Sequence, residues 1–218
     1  MKRSHRAYDP LKRVLDACFA LVALVVLSPV LLVVAILVRL RLGTPVLFRQ
    51  RRPGRDGALF TLYKFRTMTD ATSSGSAADA VASDAERLTP LGRTLRASSL
   101  DELPELFNIL LGQMSFVGPR PLLPEYLDRY TDTQARRHEV RPGLTGWAQV
   151  NGRNATSWEE RFEMDVWYVD HRSFALDART LLLTVGTVFG GSGVSAPGQA
   201  TMAPFEGSPD RHDRKDAS

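Results

Sequence analysis

Asp101 and Glu102, adjacent within Ser98-Ser99-Leu100-Asp101-Glu102-Leu103-Pro104, are the residues best suited to chemistry. Two carboxylates at the mouth of a helix can hold Mg²⁺ or attack phosphorus, close to backbone amides that favour anions. Capping is the competing role. Ser99 and Glu102 have the spacing of a capping box, and the helix dipole stabilises acidic residues near an N-terminus. Pro104 bears on the choice. With Ser99 as cap, the missing Pro104 amide costs a bond just past the first turn. A helix start nearer Asp101 suits the proline better and leaves both carboxylates at the mouth.

Carboxylates alone repel a phosphate, so cations must accompany them. Arg96 precedes the pair, and Arg120 sits in VGPRPLLPEY, where Pro119, Pro121 and Pro124 stiffen the backbone. Arg141 and Arg153 bracket VRPGLTGWAQVNGR, a stretch too punctuated by Pro and Gly for a plain helix. Arginines on rigid loops suit a diphosphate, although each taken singly is more often a surface charge. Lys64 and Arg66 share an alternating face with Phe60 and Leu62. Two cations beside apolar residues suit a phosphate near a membrane surface; a solvated strand end is the duller alternative. His5, His138, His171 and His212 have no ligand spacing, and no zinc, phosphate-loop or dinucleotide motif is present.

These residues need elements to position them. Ala17 to Val38 reads ACFALVALVVLSPVLLVVAILV with no charge. As a helix rising about 1.5 Å per residue it would reach roughly 33 Å, enough to cross a bilayer. Pro29 lacks the amide that would bond Val25, so a bend is expected there, with the Ser28 hydroxyl turning back to the Leu24 or Val25 carbonyl. Basic residues flank both ends: Lys2, Arg3, Arg6, Lys12 and Arg13 before, Arg39, Arg41, Arg49, Arg51 and Arg52 after. A hairpin that enters and leaves one leaflet satisfies both flanks. A kinked spanning helix satisfies the length equally well. Nothing ends the apolar run as a signal-peptidase site would.

Leu59 to Met68 alternates as a short strand, and Leu103, Leu106, Phe107 and Leu110 mark an amphipathic helix that Gly112 can end. Ser157 and Glu160 have capping-box spacing ahead of a stripe formed by Trp158, Phe162, Val166 and Val169. Leu176 to Phe189 is a further apolar helix that could lie on a bilayer. Residues 69–86 read as an Ala/Ser-rich flexible loop and 204–218 as a polar, disordered tail. The expected organisation is a basic N-terminus with membrane helix (1–42), a catalytic domain (43–203) and that tail. The formal charge of +4 arises almost wholly from Arg, and Cys18 has no partner for a disulfide. Nucleic-acid binding is excluded for want of a basic stripe with interleaved aromatics.

The ordered set YKFRTM, LDELPELFNIL, MSFVGPRPLLPEYL, RPGLTGWAQVNGR and FEMDVWYV strongly resembles the monotopic phosphoglycosyl transferases, from about Lys12 to Gly207. These enzymes transfer a sugar 1-phosphate to a polyprenyl phosphate at the start of bacterial glycan assembly. The resemblance implies a compact, α-rich α/β fold with a small sheet, interface helices and a re-entrant hairpin broken at Ser28-Pro29. It implies Asp101 as nucleophile and Mg²⁺ ligand, Glu102 as its partner, Lys64 near that pair, and Arg96, Arg120 and Arg153 near the phosphates or uridine; Arg66 joins the substrate-binding set from the strand alternation. It further implies a UDP-sugar, undecaprenyl phosphate and a lipid bilayer as partners, with downstream glycosyltransferases or a second copy as further ones. The site would face the cytoplasm from the bacterial inner membrane. GVSAPGQATMAPFEG resembles the ending of enzymes acting on diacetamido-bacillosamine nucleotides. A catalytically idle membrane scaffold is the alternative class, and the intact Asp-Glu pair argues against it.

Overall fold

A computed structural model describes residues 8–69, 87–152, 156–189 and 204–207. The uncharged run becomes two helices, α1 (Tyr8–Val26) and α2 (Ser28–Leu42), bent by 64° about Leu27. Pro29 falls in the first turn of α2, where an amide is dispensable, and the Ser28 hydroxyl donates to the Val25 carbonyl at 2.7 Å. Among the described residues no single helix is long and apolar enough to cross a membrane; the bent pair together is. Phe19, Val22, Val25, Val26, Leu32, Val33 and Leu40 point outward, each more than half exposed.

The opposite side of the pair is built into the core. Ala20 packs with Phe60, Leu62, Leu106, Ile109 and Met114, while Val34 and Val38 pack with Phe65 and Leu95. β1 (Leu47–Pro53) and β2 (Leu59–Phe65) form an antiparallel hairpin with Leu47 opposite Phe65 and Pro53 opposite Leu59. The strand expected to run to Met68 therefore stops at Phe65; Met68 makes only a bridge to Leu88. Next come α3 (Pro90–Ala97) and α4 (Glu105–Leu110), then β3 (Ser115–Val117) and α5 (Asp132–Ala135). β4 (Gly143–Thr145) pairs with β3 in parallel, so the strands among the described residues form two two-stranded sheets. A Cβ on Gly143 would lie 2.1 Å from the Gly118 amide nitrogen, so the two Pro/Gly loops meet backbone to backbone.

α6 (Trp147–Asn151), α7 (Trp158–His171) and α8 (Phe174–Phe189) complete the order. Both bonds of the Ser157–Glu160 capping box form, and Phe162, Val166 and Val169 are buried as their spacing requires. α4 departs from expectation because Leu103 lies in a preceding tight turn. Its buried face carries Leu106 and Ile109, and Phe107 is half exposed. Gly112, at φ 80°, ends it, and Arg13 of α1 donates to the Ile109 and Leu110 carbonyls. Phe205, expected in a disordered tail, is instead buried among Tyr126, Tyr130 and Phe162. Residues 208–218, and all of the expected loop at 69–86 except Thr69, lie outside the described residues.

Candidate active site

Asp101 and Glu102 lie in a single 3₁₀ turn, Leu100–Glu102, entered through Ser99 at φ 55°. The Ser99 side chain makes no capping bond, so the capping box does not form. Pro104 immediately precedes α4, the position where its missing amide breaks no bond in the helix. The carboxylate pair thus precedes the helix, one step further out than expected.

The Glu102 side chain turns to cations instead. Lys64 Nζ lies 2.6 Å and Arg120 Nη2 2.9 Å from Glu102 Oε1. Burial pushes the Glu102 pKa up, but Arg120 and Lys64 together outweigh it and hold this carboxylate ionised. Lys64 Nζ also reaches Glu105 Oε1 at 3.0 Å. Glu105 moves the other way, raised by burial and by Glu102 against the pull of Lys64. Asp101 is buried, and its pKa is raised by desolvation and by Glu102, with Lys64 and Arg96 opposing. Among the described residues no side chain donates a hydrogen bond to the Asp101 carboxylate.

The cations reach this turn from three directions, each fixed by a buried polar contact. β2 carries Lys64. Asn108 of α4, fully buried, accepts from the Tyr63 amide at 3.1 Å and donates to the Thr61 carbonyl at 2.7 Å, locking β2 against the Glu105 helix. α3 carries Arg96, whose Nε donates to Thr67 Oγ1 at 3.1 Å. A Cβ on Gly92 would lie 2.0 Å from the Thr67 carbonyl oxygen, so only glycine lets α3 come this close. The Arg120 loop is held from behind by Arg137, which donates to the Arg120 carbonyl at 2.8 Å and to Asp165 of α7 at 2.7 Å.

Lys64, Arg96, Arg120, Asp101 and Glu102 are therefore brought together. Arg66 is not among them. It lies past the end of β2, where its two terminal nitrogens donate to the carbonyls of Leu42, the last residue of α2, and of Thr44 just beyond it. The helix end offers unpaired carbonyl oxygens, and Arg66 answers that demand. Arg141 likewise donates to the Gly112 carbonyl at 2.8 Å. Arg153 lies outside the described residues. Glu105, Asn108 and Arg137 were not singled out from sequence. One signal was available: Asp165 falls on the apolar stripe of α7 with Phe162, Val166 and Val169, and a carboxylate there demands a buried partner.

A tight carboxylate turn ringed by Lys and Arg, beneath a bent apolar helix pair, defines a class. The chain belongs to the bacterial sugar transferases, whose family model matches residues 7–191. It is 52% identical over 200 residues to the uncharacterized sugar transferase EpsL of Bacillus subtilis (strain 168), covering 92% of this chain and 98% of that one. It is 42% identical over 187 residues to a UDP-glucose:undecaprenyl-phosphate glucose-1-phosphate transferase of Caulobacter vibrioides, covering 82% of this chain and 70% of the relative. A transferase of the same name from Xanthomonas campestris pv. campestris is 40% identical over 187 residues, 82% of this chain. The chain spans only 39% of that relative's length.

Proposed function

We propose that this protein transfers a sugar 1-phosphate from a UDP-sugar to a polyprenyl phosphate, releasing UMP, with Asp101 as nucleophile. One observation carries the reading. Of three neighbouring carboxylates, Glu102 and Glu105 share Lys64, while Asp101 receives no side-chain hydrogen bond and keeps its oxygens for phosphorus. A carboxylate oxygen of Asp101 attacks the β-phosphorus as the bond to the bridging oxygen breaks, and UMP leaves with that electron pair. The polyprenyl phosphate oxygen then attacks the same phosphorus and Asp101 is restored. One anhydride replaces another, and two anionic substrates react in turn rather than together. Arg120 and Arg96 offset the charge on the phosphoryl oxygens.

Mg²⁺ fits the donor set in a limited way. Among the described residues no cluster of three His, Cys, Asp or Glu is suited to a metal, so the ion would draw on substrate phosphates. Mg²⁺ commonly takes one or two carboxylates plus phosphate oxygens, and Asp101 is the carboxylate without a cation bonded to it. When bound, it would neutralise phosphate charge.

The outward apolar faces of α1 and α2, with basic residues at both ends, support a hairpin re-entering the cytoplasmic side of the bacterial inner membrane. Such a hairpin would set the site at headgroup level, where a lipid phosphate lies. Two sugars are candidates, the glucose of the relatives' names and a diacetamido-bacillosamine nucleotide; residues 193–203 of the motif that suggests the second lie outside the described ones. The test is intact-protein mass after incubation with a UDP-sugar alone. The wild type is expected to gain one sugar phosphate, and Asp101→Asn to gain nothing and release no UMP. Near-normal turnover by Asp101→Asn would remove Asp101 from the role.

A further inference from the structure

Two arginines beside the site each keep a buried guanidinium nitrogen that has no hydrogen-bond partner. Arg52 Nε and Arg161 Nε are both buried without a hydrogen bond. The only hydrogen-bond partner of the Arg52 guanidinium among the described residues is a neutral one, Gln50, at 2.6 Å. Arg161 has none there, and its guanidinium merely overlies the Trp158 ring at 5.9 Å. Buried donors are rarely left unmade, because each unpaired group carries its desolvation cost.

Their placement shows what they face. Arg52 pairs with Phe60, Gln50 with Leu62 and Phe48 with Lys64 across the hairpin, and paired residues share a face of the sheet. Arg52 is thus on the face that delivers Lys64 to Glu102. Arg161 precedes Asp165 by one turn of α7 and shares its side of the helix. Asp165 holds Arg137, and Arg137 holds the Arg120 carbonyl. Arg120 repels both guanidiniums, adding to burial in lowering their pKa values, while Glu105 and Glu125 act on Arg52, and Asp165 on Arg161, in the opposite sense.

We propose that Arg52 and Arg161 flank Arg120 in a second anion cradle, which binds a phosphate monoester group. Resting on the proposed reaction, that group is either the phosphate of UMP or that of the polyprenyl phosphate. Neither arginine touches the attacked phosphorus in this arrangement; both hold the phosphate one step away from it. A fork of two N–H donors suits such a group better than a single ammonium.

Full-length protein in detergent micelles, carrying Asp101→Asn to prevent turnover, is titrated with UMP, uridine and a short-chain polyprenyl phosphate. Arg52→Gln and Arg161→Gln are each expected to weaken one phosphate ligand by about tenfold, as lost charge-assisted hydrogen bonds do. Uridine binding should stay unchanged. Loss with UMP assigns the cradle to the nucleotide; loss with the polyprenyl phosphate assigns it to the lipid. Retention of both affinities within about twofold, or an equal weakening of uridine, would overturn the cradle. If a Gln variant fails to fold, Arg→Lys at that position keeps the charge without the fork and should show a smaller loss of the same kind. Failure of the nucleophile reads out separately, as an absent mass adduct on the wild-type protein with UMP binding intact.

Discussion

At the scale of single residues the site runs on one ammonium shared between two carboxylates. Lys64→Met should leave Glu102 with Arg120 alone and drive Glu105 further toward its protonated form. The expected cost is about a hundredfold in UMP release, the order seen when one charge-stabilising group is removed. Arg137 tests a different role, since it touches the Arg120 backbone rather than the site. Arg137→Met strands the buried Asp165 carboxylate and should cost about 3–5 kcal/mol, read by chemical denaturation. Restoring stability with a second change, Asp165→Leu, without restoring turnover would identify Arg137 as a positioning residue. The Asp101–Glu102 pair was legible in the sequence because two adjacent carboxylates beside a helix-breaking proline are conspicuous. Arg66 was misread for a physical reason: alternation assigns a face to strand residues, and Arg66 lies one position past the strand, where the end of α2 claims it.

Elements decide whether those residues meet. Gly92→Ala would set a Cβ against the Thr67 carbonyl and push α3 off the segment that orients Arg96. Overpacking of this kind costs about 1–3 kcal/mol, and a lowered melting temperature with a slower adduct would register it. The α1–α2 bend predicts topology. With Cys18→Ala, single cysteines at Pro10 and Thr44 should react with an impermeant reagent from the same face of sealed vesicles. Reaction from opposite faces would convert the hairpin into a spanning helix. His138 ties the turn after α5 to the β1–β2 hairpin, donating from Nδ1 to the Gly54 carbonyl at 3.2 Å. Burial, helped by Arg137, lowers its pKa to about 4, so it is neutral in the fold while the unfolded chain takes up a proton near 6.5. Its contribution is therefore intact above about pH 6.5 and declines as pH falls toward 4. Melting temperatures across that window should fall in the wild type and fall less in His138→Phe. Long periodic elements such as α7 could be read in advance. α4 was legible as a helix closed by Gly112, but its start was not, because a 3₁₀ turn and Pro104 precede its six residues and leave Leu103 outside it.

At the scale of the whole molecule, the helix pair is no separable anchor, since its inner side is shared with both strands and with α4. Tyr8 and Lys12 of α1 and Tyr168 of α7 all bond to Asp177 of α8, which closes the molecule from its first helix to its last. Such long-range polar fastenings leave no periodic trace in a sequence. Phe205 had still less to announce it: one aromatic in a polar stretch has no pattern. Its ring stacks against Tyr130 at 5.8 Å and meets Phe162 edge-on at 5.0 Å, and its amide donates to the Tyr126 hydroxyl. This has a bearing on synthesis. The ring that completes this nest is translated after every helix and strand described, so a nascent chain halted at residue 200 would present an open aromatic hollow to its surroundings. Synthesis of Phe205, rather than formation of α8, is then what allows this half of the protein to close against chaperones and proteases.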